Sequence, residues 1–225
     1  GDVRVFLDAA ERRIEASLSK AMDEATGLYA TYVTHEPVEF EPVEEADAET
    51  GERRAARSPR GLPCVRVKRF DAHRLPLFLE APAHALRIER DPPAARRLLA
   101  ALRDSPLYDR ELGMYILSDS VAGESPELGR IRAWPPGWFE NENVFMHMEH
   151  KLLLAMLQAG LHEEFFADAR RCLACFQRPE VYGRSPLENT SFIVSSRHPR
   201  ADYRGRGFLP RTSGTTAEAV HMMLT

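Results

Sequence analysis

Apolar residues recur every three or four positions at the start of the chain, at Val3, Leu7, Ala10, Ile14, Leu18, Ala21, Ala25 and Leu28. That spacing predicts a long amphipathic helix whose stripe needs a surface to cover it. Asp2 is its one capping candidate and the pattern starts at the first residue, so further sequence is expected before it. A second helix is predicted over 140–159, carrying Val144, Met148, Lys151, Leu152, Ala155 and Met156, and Gly160 ends it. A third runs from Glu163 to Phe176 through Phe165, Phe166, Ala169 and Cys172. Gly160-Leu161-His162 between them predicts a tight hairpin of antiparallel helices. The last helical pattern, Ala217, Val220, His221 and Leu224, reaches Thr225 without a Gly, Asn or Pro stop. So short a helix without a C-cap is marginal alone, which predicts a chain that continues and a sequence that is a piece of something larger.

The intervening segments read differently. Residues 31–66 are rich in Glu, Pro and Arg and predict a long surface excursion with short strands. Cys64 to Phe70 alternates like an edge strand, Leu75 to Leu79 is a buried extended run, and Tyr115-Ile116-Leu117 suits another strand. Pro92-Pro93 starts a short helix through Leu98, Leu99 and Leu102 that stops before Pro106. Residues 177–213 form a long connection dense in Gly, Arg, Ser and Asn, the kind of loop that carries function.

Composition narrows the class. A 225-residue chain holds one domain, or one and part of another, and its 44% hydrophobic and 28% charged residues are those of a globular protein. Acidic residues exceed basic ones by 34 to 30, which argues against a nucleic-acid surface and leaves any anion site local. No window approaches the ~18 apolar residues of a membrane span and no signal-peptide core opens the chain, so no membrane partner and a cytoplasmic location are expected. Cys64, Cys172 and Cys175 cannot all pair. Cys172-x-x-Cys175 lies in an apolar helical pattern with no second pair to complete a zinc site, so core or surface thiols are expected.

Two stretches carry unusual chemistry. The first, from Trp134 to His150, holds both tryptophans, Trp134 and Trp138, together with Glu140, Asn141, Asn143 and His147. Aromatic faces with carboxylates and amides suit a sugar cleft, and equally suit a core aromatic cluster capped by a polar helix start. On a helix, Glu140, Asn143, Val144, His147 and Lys151 would share one face. His147-x-x-His150 with Glu149 between them invites a metal, but the HExxH pattern is absent and no metal is expected. The second stretch, from Tyr203 to Thr216, sets Arg204, Arg206 and Arg211 beside Ser213-Gly214-Thr215 just ahead of a helix. Unpaired helix N–H groups, hydroxyls and guanidinium groups make an oxyanion site, while Thr215 and Glu218 alone would make a capping box. The order of a Walker loop is absent, so the anion would be small or inorganic phosphate rather than a nucleotide.

In this order, Glu140-Asn141, Phe145-Met146-His147, the hairpin at Gly160 and Ser213-Gly214-Thr215 resemble the inverting disaccharide phosphorylases. These are glycoside hydrolase family 94-like enzymes that include cellobiose and chitobiose phosphorylase and relatives in cyclic β-glucan synthesis. The resemblance implies a mainly α fold, part of an (α/α)6 barrel of six-hairpin glycosidase type, with residues 1–30 as a barrel helix. Residues 31–133 would be the excursion and 134–225 the C-terminal part of the barrel. It implies a glycosyltransferase or phosphorylase that cleaves a β-linked di- or oligosaccharide, with inorganic phosphate as co-substrate and no other cofactor. His147 and Thr215 would hold phosphate, with Ser213, Arg206 and Arg211 beside them, and Glu140, Asn141, Trp138 and Trp134 would face the sugar. The general-acid Asp would lie upstream of this sequence, leaving the 225 residues inactive alone. A homodimer is compatible with this reading. The alternatives are a glycoside hydrolase of the same barrel and a non-catalytic carbohydrate-binding piece.

Overall fold

The computed structural model describes residues 2–47, 50–210 and 213–225, and of 213–215 the backbone alone. Two compact units result: Gly1–Tyr32 joined with Leu75–Thr225, and Val33–Arg74. The first helix, α1 (Asp2–Ala21), buries none of its residues, and Val3, Leu7, Ile14 and Leu18 lie exposed along it. It stops short of the full apolar stripe because Asp23 captures the chain. The Asp23 carboxylate accepts from the Ala25 amide and the Thr26 hydroxyl, and Gly27 takes φ 71°. The result is a small antiparallel hairpin of β1 (Met22–Asp23) and β2 (Leu28–Tyr29).

The smaller unit is a two-stranded ribbon, β3 (Val33–Pro42) against β6 (Val65–Arg74), extended by β4 (Glu44–Ala46) against β5 (Arg53–Ala55). The predicted strand around Cys64–Phe70 is thus real and longer than expected. Its register runs from Val33 opposite Arg74 to Pro42 opposite Val65, with an irregularity on either side of Glu39. One partner is acidic and the other basic: Lys68 meets Glu41 at 2.9 Å and Arg54 meets Asp47 at 3.1 Å. These pairs are exposed, each contributing at most about 1 kcal/mol, so they select register more than they add stability.

The larger unit continues with α2 (Glu80–Ile88) and α3 (Pro92–Asp104), then the hairpin β7 (Tyr108–Asp109) and β8 (Met114–Tyr115). After an irregular stretch come β9 (Val144–Phe145), α4 (Met146–Gln158), α5 (His162–Cys172) and the short α6 (Pro179–Tyr182). β10 (Phe192–Ile193), β11 (Gly207–Phe208) and α7 (Ser213–Leu224) complete it. The run Leu75–Leu79 is largely buried, as its composition predicts, but it bends at Pro76 and Leu79 already takes helical angles at the start of α2, its amide donating to the Leu117 carbonyl at 2.8 Å.

The core gathers on α4, against which α2, α5 and α7 pack. The helix is covered on most sides: Met146, Met148, Leu152, Leu153, Leu154, Ala155 and Met156 are all buried. The expected hairpin between α4 and α5 is present, with Gly160 in the left-handed region at φ 73°. α3 starts at the predicted proline pair, where Asp91 caps it by accepting from the Ala94 amide at 3.2 Å. Asp91→Ala should cost about 1 kcal/mol, read as a small fall in melting temperature at unchanged cooperativity.

This architecture corrects two expectations. The chain does not form part of an (α/α)6 six-hairpin barrel: it is mixed α/β, with five small open sheets among its described residues. The long segments either side of the α4–α5 hairpin are broken by left-handed glycines such as Gly113, Gly137, Gly183 and Gly205, which no helix interior accommodates. Nor does a helix cover 140–159. It begins at Met146, because Glu140 to Asn143 are spent on a tight turn in which Phe139 and Glu142 both take φ 51°.

Candidate functional site

The two chemically unusual stretches are brought together, but by a sheet rather than by a shared helix. β10 lies between β9 and β11, so that Phe192 stands opposite Phe145 on one side and Phe208 on the other. Their rings form a column: Phe145 to Phe192 at 4.8 Å, Phe192 to Phe208 at 5.3 Å, and Phe208 to Trp138 at 4.3 Å and 6°. Trp134 packs on Phe139 at 4.5 Å. One face of each tryptophan is therefore occupied by the protein's own aromatics. His147, in the first turn of α4, stands edge-on to Phe145 at the end of the column.

The polar members of the first stretch serve the turn. The Asn141 amide donates to the Trp134 carbonyl at 2.7 Å, and the Asn143 side chain accepts from the buried Ser195 amide at 2.9 Å. Glu140 pairs with Arg130 at 2.7 Å. The expected single face of Glu140, Asn143, His147 and Lys151 is thereby reduced to His147 and Lys151, one turn apart on α4. Among the arginines, Arg206 is exposed and donates to the Asp202 carbonyl at 2.7 Å, while Arg211 lies outside the described residues. Ser213 and Thr215 fall in the first turn of α7, and their side chains also lie outside the described residues.

Charged groups from three helices interact electrostatically here: Lys151 and Glu218 act on both His147 and His84, and Lys151 acts on Glu80. α2 contributes Glu80 and His84 at a four-residue spacing, α4 contributes His147 and Lys151 at the same spacing, and α7 contributes Glu218. Each pair falls on one face of its helix, and α2 and α7 both pack on α4. Burial, and then the Lys151 ammonium, hold His147 below its ordinary value, with Glu218 opposing. His84, at the more open end, is lowered by burial, Lys151 and Arg87, again against Glu218. Burial raises the Glu80 carboxyl even though Lys151 pulls it down. One of its oxygens, Oε2, is buried without a hydrogen-bond partner among the described residues.

His84 and Glu80 carried no sequence signal beyond their spacing, which matches that of His147 and Lys151. His150 and Glu149, flanking His147 in sequence, turn into the core rather than toward this cluster. Among the described residues no group of three or more His, Cys, Asp or Glu is arranged to hold a metal ion. Among them, too, no helix is long and apolar enough to cross a membrane.

Comparison with family models and with curated proteins finds no match for the chain. The resemblance to the inverting disaccharide phosphorylases is not sustained, since a mixed fold with open sheets does not match an all-helical barrel. The glycoside phosphorylase assignment and its same-barrel hydrolase alternative rested on that architecture and fall with it.

Proposed function

We propose that the larger unit binds a small oxyanion, a phosphate, sulfate or carboxylate group, where α2, α4 and α7 face one another, and transfers protons there as an enzyme. What supports this reading is that α2 and α7 both pack on α4 and that Glu80 Oε2 is buried there without a hydrogen-bond partner among the described residues, within electrostatic reach of Lys151. The ammonium supplies a point charge for an anion. The two imidazoles are held toward their neutral forms, in which each ring has one N–H to donate and one nitrogen to accept a proton. Glu80, raised by burial, and an imidazole lowered by burial approach each other in proton affinity, the arrangement that acid–base catalysis uses. The unpartnered Glu80 Oε2 leaves a polar group for a ligand to satisfy.

The charged groups that act on the imidazoles are Arg87 from α2, Lys151 from α4 and Glu218 from α7. Both imidazoles are lowered in the fold, so without ligand they resist protonation, and acid costs stability as pH falls from about 6.5. A bound anion reverses this preference. Sulfate, whose own charge is constant over the range, should bind more tightly as pH drops from 8 to 5.5, by up to about tenfold per pH unit for each imidazole it helps protonate. Calorimetric titration at several pH values measures this, and Lys151→Gln should weaken sulfate at least tenfold at every pH. Binding that ignores both pH and Lys151→Gln would sink the proposal.

A further inference from the structure

α1 presents an apolar stripe that its own chain leaves uncovered. Val3, Leu7, Ile14 and Leu18 recur along it at 47–72% exposure, and Phe6 beside them is 69% exposed. Helices of this kind draw most of their stability from a surface that covers the stripe. The apolar surface also continues past the end of the stripe. Leu18 and Ala21 form part of the wall of a cavity of about 590 Å³, with Ala81, Ala85 and Ile88 of α2 and Leu98 of α3 on its other sides. The space is open because alanines stand where larger side chains would fill it.

The charges of α1 indicate what covers it. Residues 2–11 carry Asp2, Asp8 and Glu11 against Arg4, a net −2, and residues 12–21 carry Arg12, Arg13 and Lys20 against Glu15, a net +2. The dipole of a helix accounts for charges only in its first and last turns. Asp8, Glu11, Arg12 and Arg13 lie in the middle of α1, where that reason does not reach. The two halves are instead complementary to each other. A second α1 lying antiparallel sets each acidic half against a basic half, whereas a parallel one opposes like charges.

We infer that α1 is a dimerisation element, which pairs antiparallel with α1 of a second copy of this chain about a twofold axis. The interface is isologous, so one stripe covers the other and both acidic halves find a basic one. Two helices of 20 residues touch over about 30 Å. The first turns of one helix then come opposite the last turns of the other. Phe6 and Leu7 of one protomer meet Leu18 and Ala21 of its partner at the mouth of the cavity, which has room for a side chain the size of phenylalanine. The pairing is independent of the oxyanion site.

Sedimentation velocity of the full 225-residue chain, at high micromolar concentration and low salt, should show a species of twice the chain's mass. Leu7→Lys with Ile14→Lys places two ammonium groups in the seam and should weaken association at least ~100-fold. Neither side chain is buried within its own chain, so this variant should still unfold cooperatively. Charge reversal tests the orientation. Arg12→Glu with Arg13→Glu makes both halves of α1 acidic, and Asp8→Lys with Glu11→Lys makes both basic. Each alone should associate at least ~10-fold more weakly than the parent, and an equimolar mixture of the two should restore the dimer. Reversal variants that dimerise as well as the parent would overturn the antiparallel pairing. A parent chain that stays monomeric would overturn the inference, as would a dimer that ignores Leu7→Lys with Ile14→Lys. A monomer that floats with phosphatidylcholine–phosphatidylserine vesicles would overturn it too, by giving the stripe to a lipid surface.

Discussion

Asp168→Ala is expected to destabilise the larger unit by roughly 3–5 kcal/mol, the cost of breaking a buried ion pair from one side. Asp168, on α5, is 1% exposed. Its Oδ2 accepts from the Tyr115 hydroxyl at 2.7 Å and from Arg103 at 2.9 Å, and Arg103 also donates to the same hydroxyl at 3.1 Å. Three elements, α3, β8 and α5, therefore meet at one carboxylate oxygen. Burial disfavours the Arg103 charge, but Asp168 and Tyr115 more than offset it and raise the guanidinium. Burial and Asp168 together raise the Tyr115 phenol, which stays protonated and donates. With the carboxylate gone, a buried hydroxyl loses its acceptor and a half-buried guanidinium loses its counter-ion. Urea denaturation should show a lowered midpoint at unchanged slope. Tyr115→Phe, which removes both bonds of the hydroxyl and leaves the ion pair, should cost only about 1–2 kcal/mol. A loss below about 1 kcal/mol for Asp168→Ala would mean the triangle contributes little.

Glu149 should make the fold lose stability as pH rises, the reverse of the usual carboxylate. It is fully buried on α4, and burial pushes its carboxyl up to about 8 against the Cys172 thiol and the Tyr115 amide, which favour the charged form. The Tyr115 amide lies 3.3 and 3.2 Å from its two oxygens. A carboxyl raised in the fold contributes stability that is fully present below its unfolded value of 4.5 and is lost as pH climbs through about 8. Across that window the loss is on the order of 4 kcal/mol, at about 1.4 per pH unit. Glu149→Gln keeps the shape and an acceptor without the ionisation. Relative to the parent chain its stability should rise by about 1.4 kcal/mol per pH unit between pH 5 and about 8, the contributions of other groups cancelling in the difference, as denaturation at pH 5, 7 and 9 would show. Parallel curves for the two proteins would rule out a titrating Glu149.

Glu149 is two residues from His147 on α4 and is buried in the core. The same helix therefore carries a fully buried acid and the part-exposed imidazole of the proposed site. Its rigidity toward the core is what would hold His147 and Lys151 in place for a ligand.

Much of the local structure was legible in the order of residues. Period and caps give α1, the start of α3 at Pro92-Pro93, and the α4–α5 hairpin at Gly160, because these depend on neighbours a turn or less away. The alternation after Cys64 gives β6 for the same reason. The start of α4 was misjudged because Glu140 to Asn143 are compatible with a helix locally. What diverts them is a turn held by the Trp134 carbonyl, Ser118 and Ser195, partners that no nearby residue announces. The candidate site divides along the same line. His147 stood out by its company in the sequence, and Lys151 by its place one turn later. Glu80 and His84 did not, since only the packing of α2 on α4 brings them within reach of Lys151, as that of α7 on α4 does for Glu218. The sequence by itself determined the start of α3, the α4–α5 hairpin and the strand after Cys64. Only the tertiary structure decided that those segments make a mixed α/β unit rather than a helical barrel, and that its charges converge on one lysine. Both depend on contacts between residues tens of positions apart, whose energies no local pattern encodes.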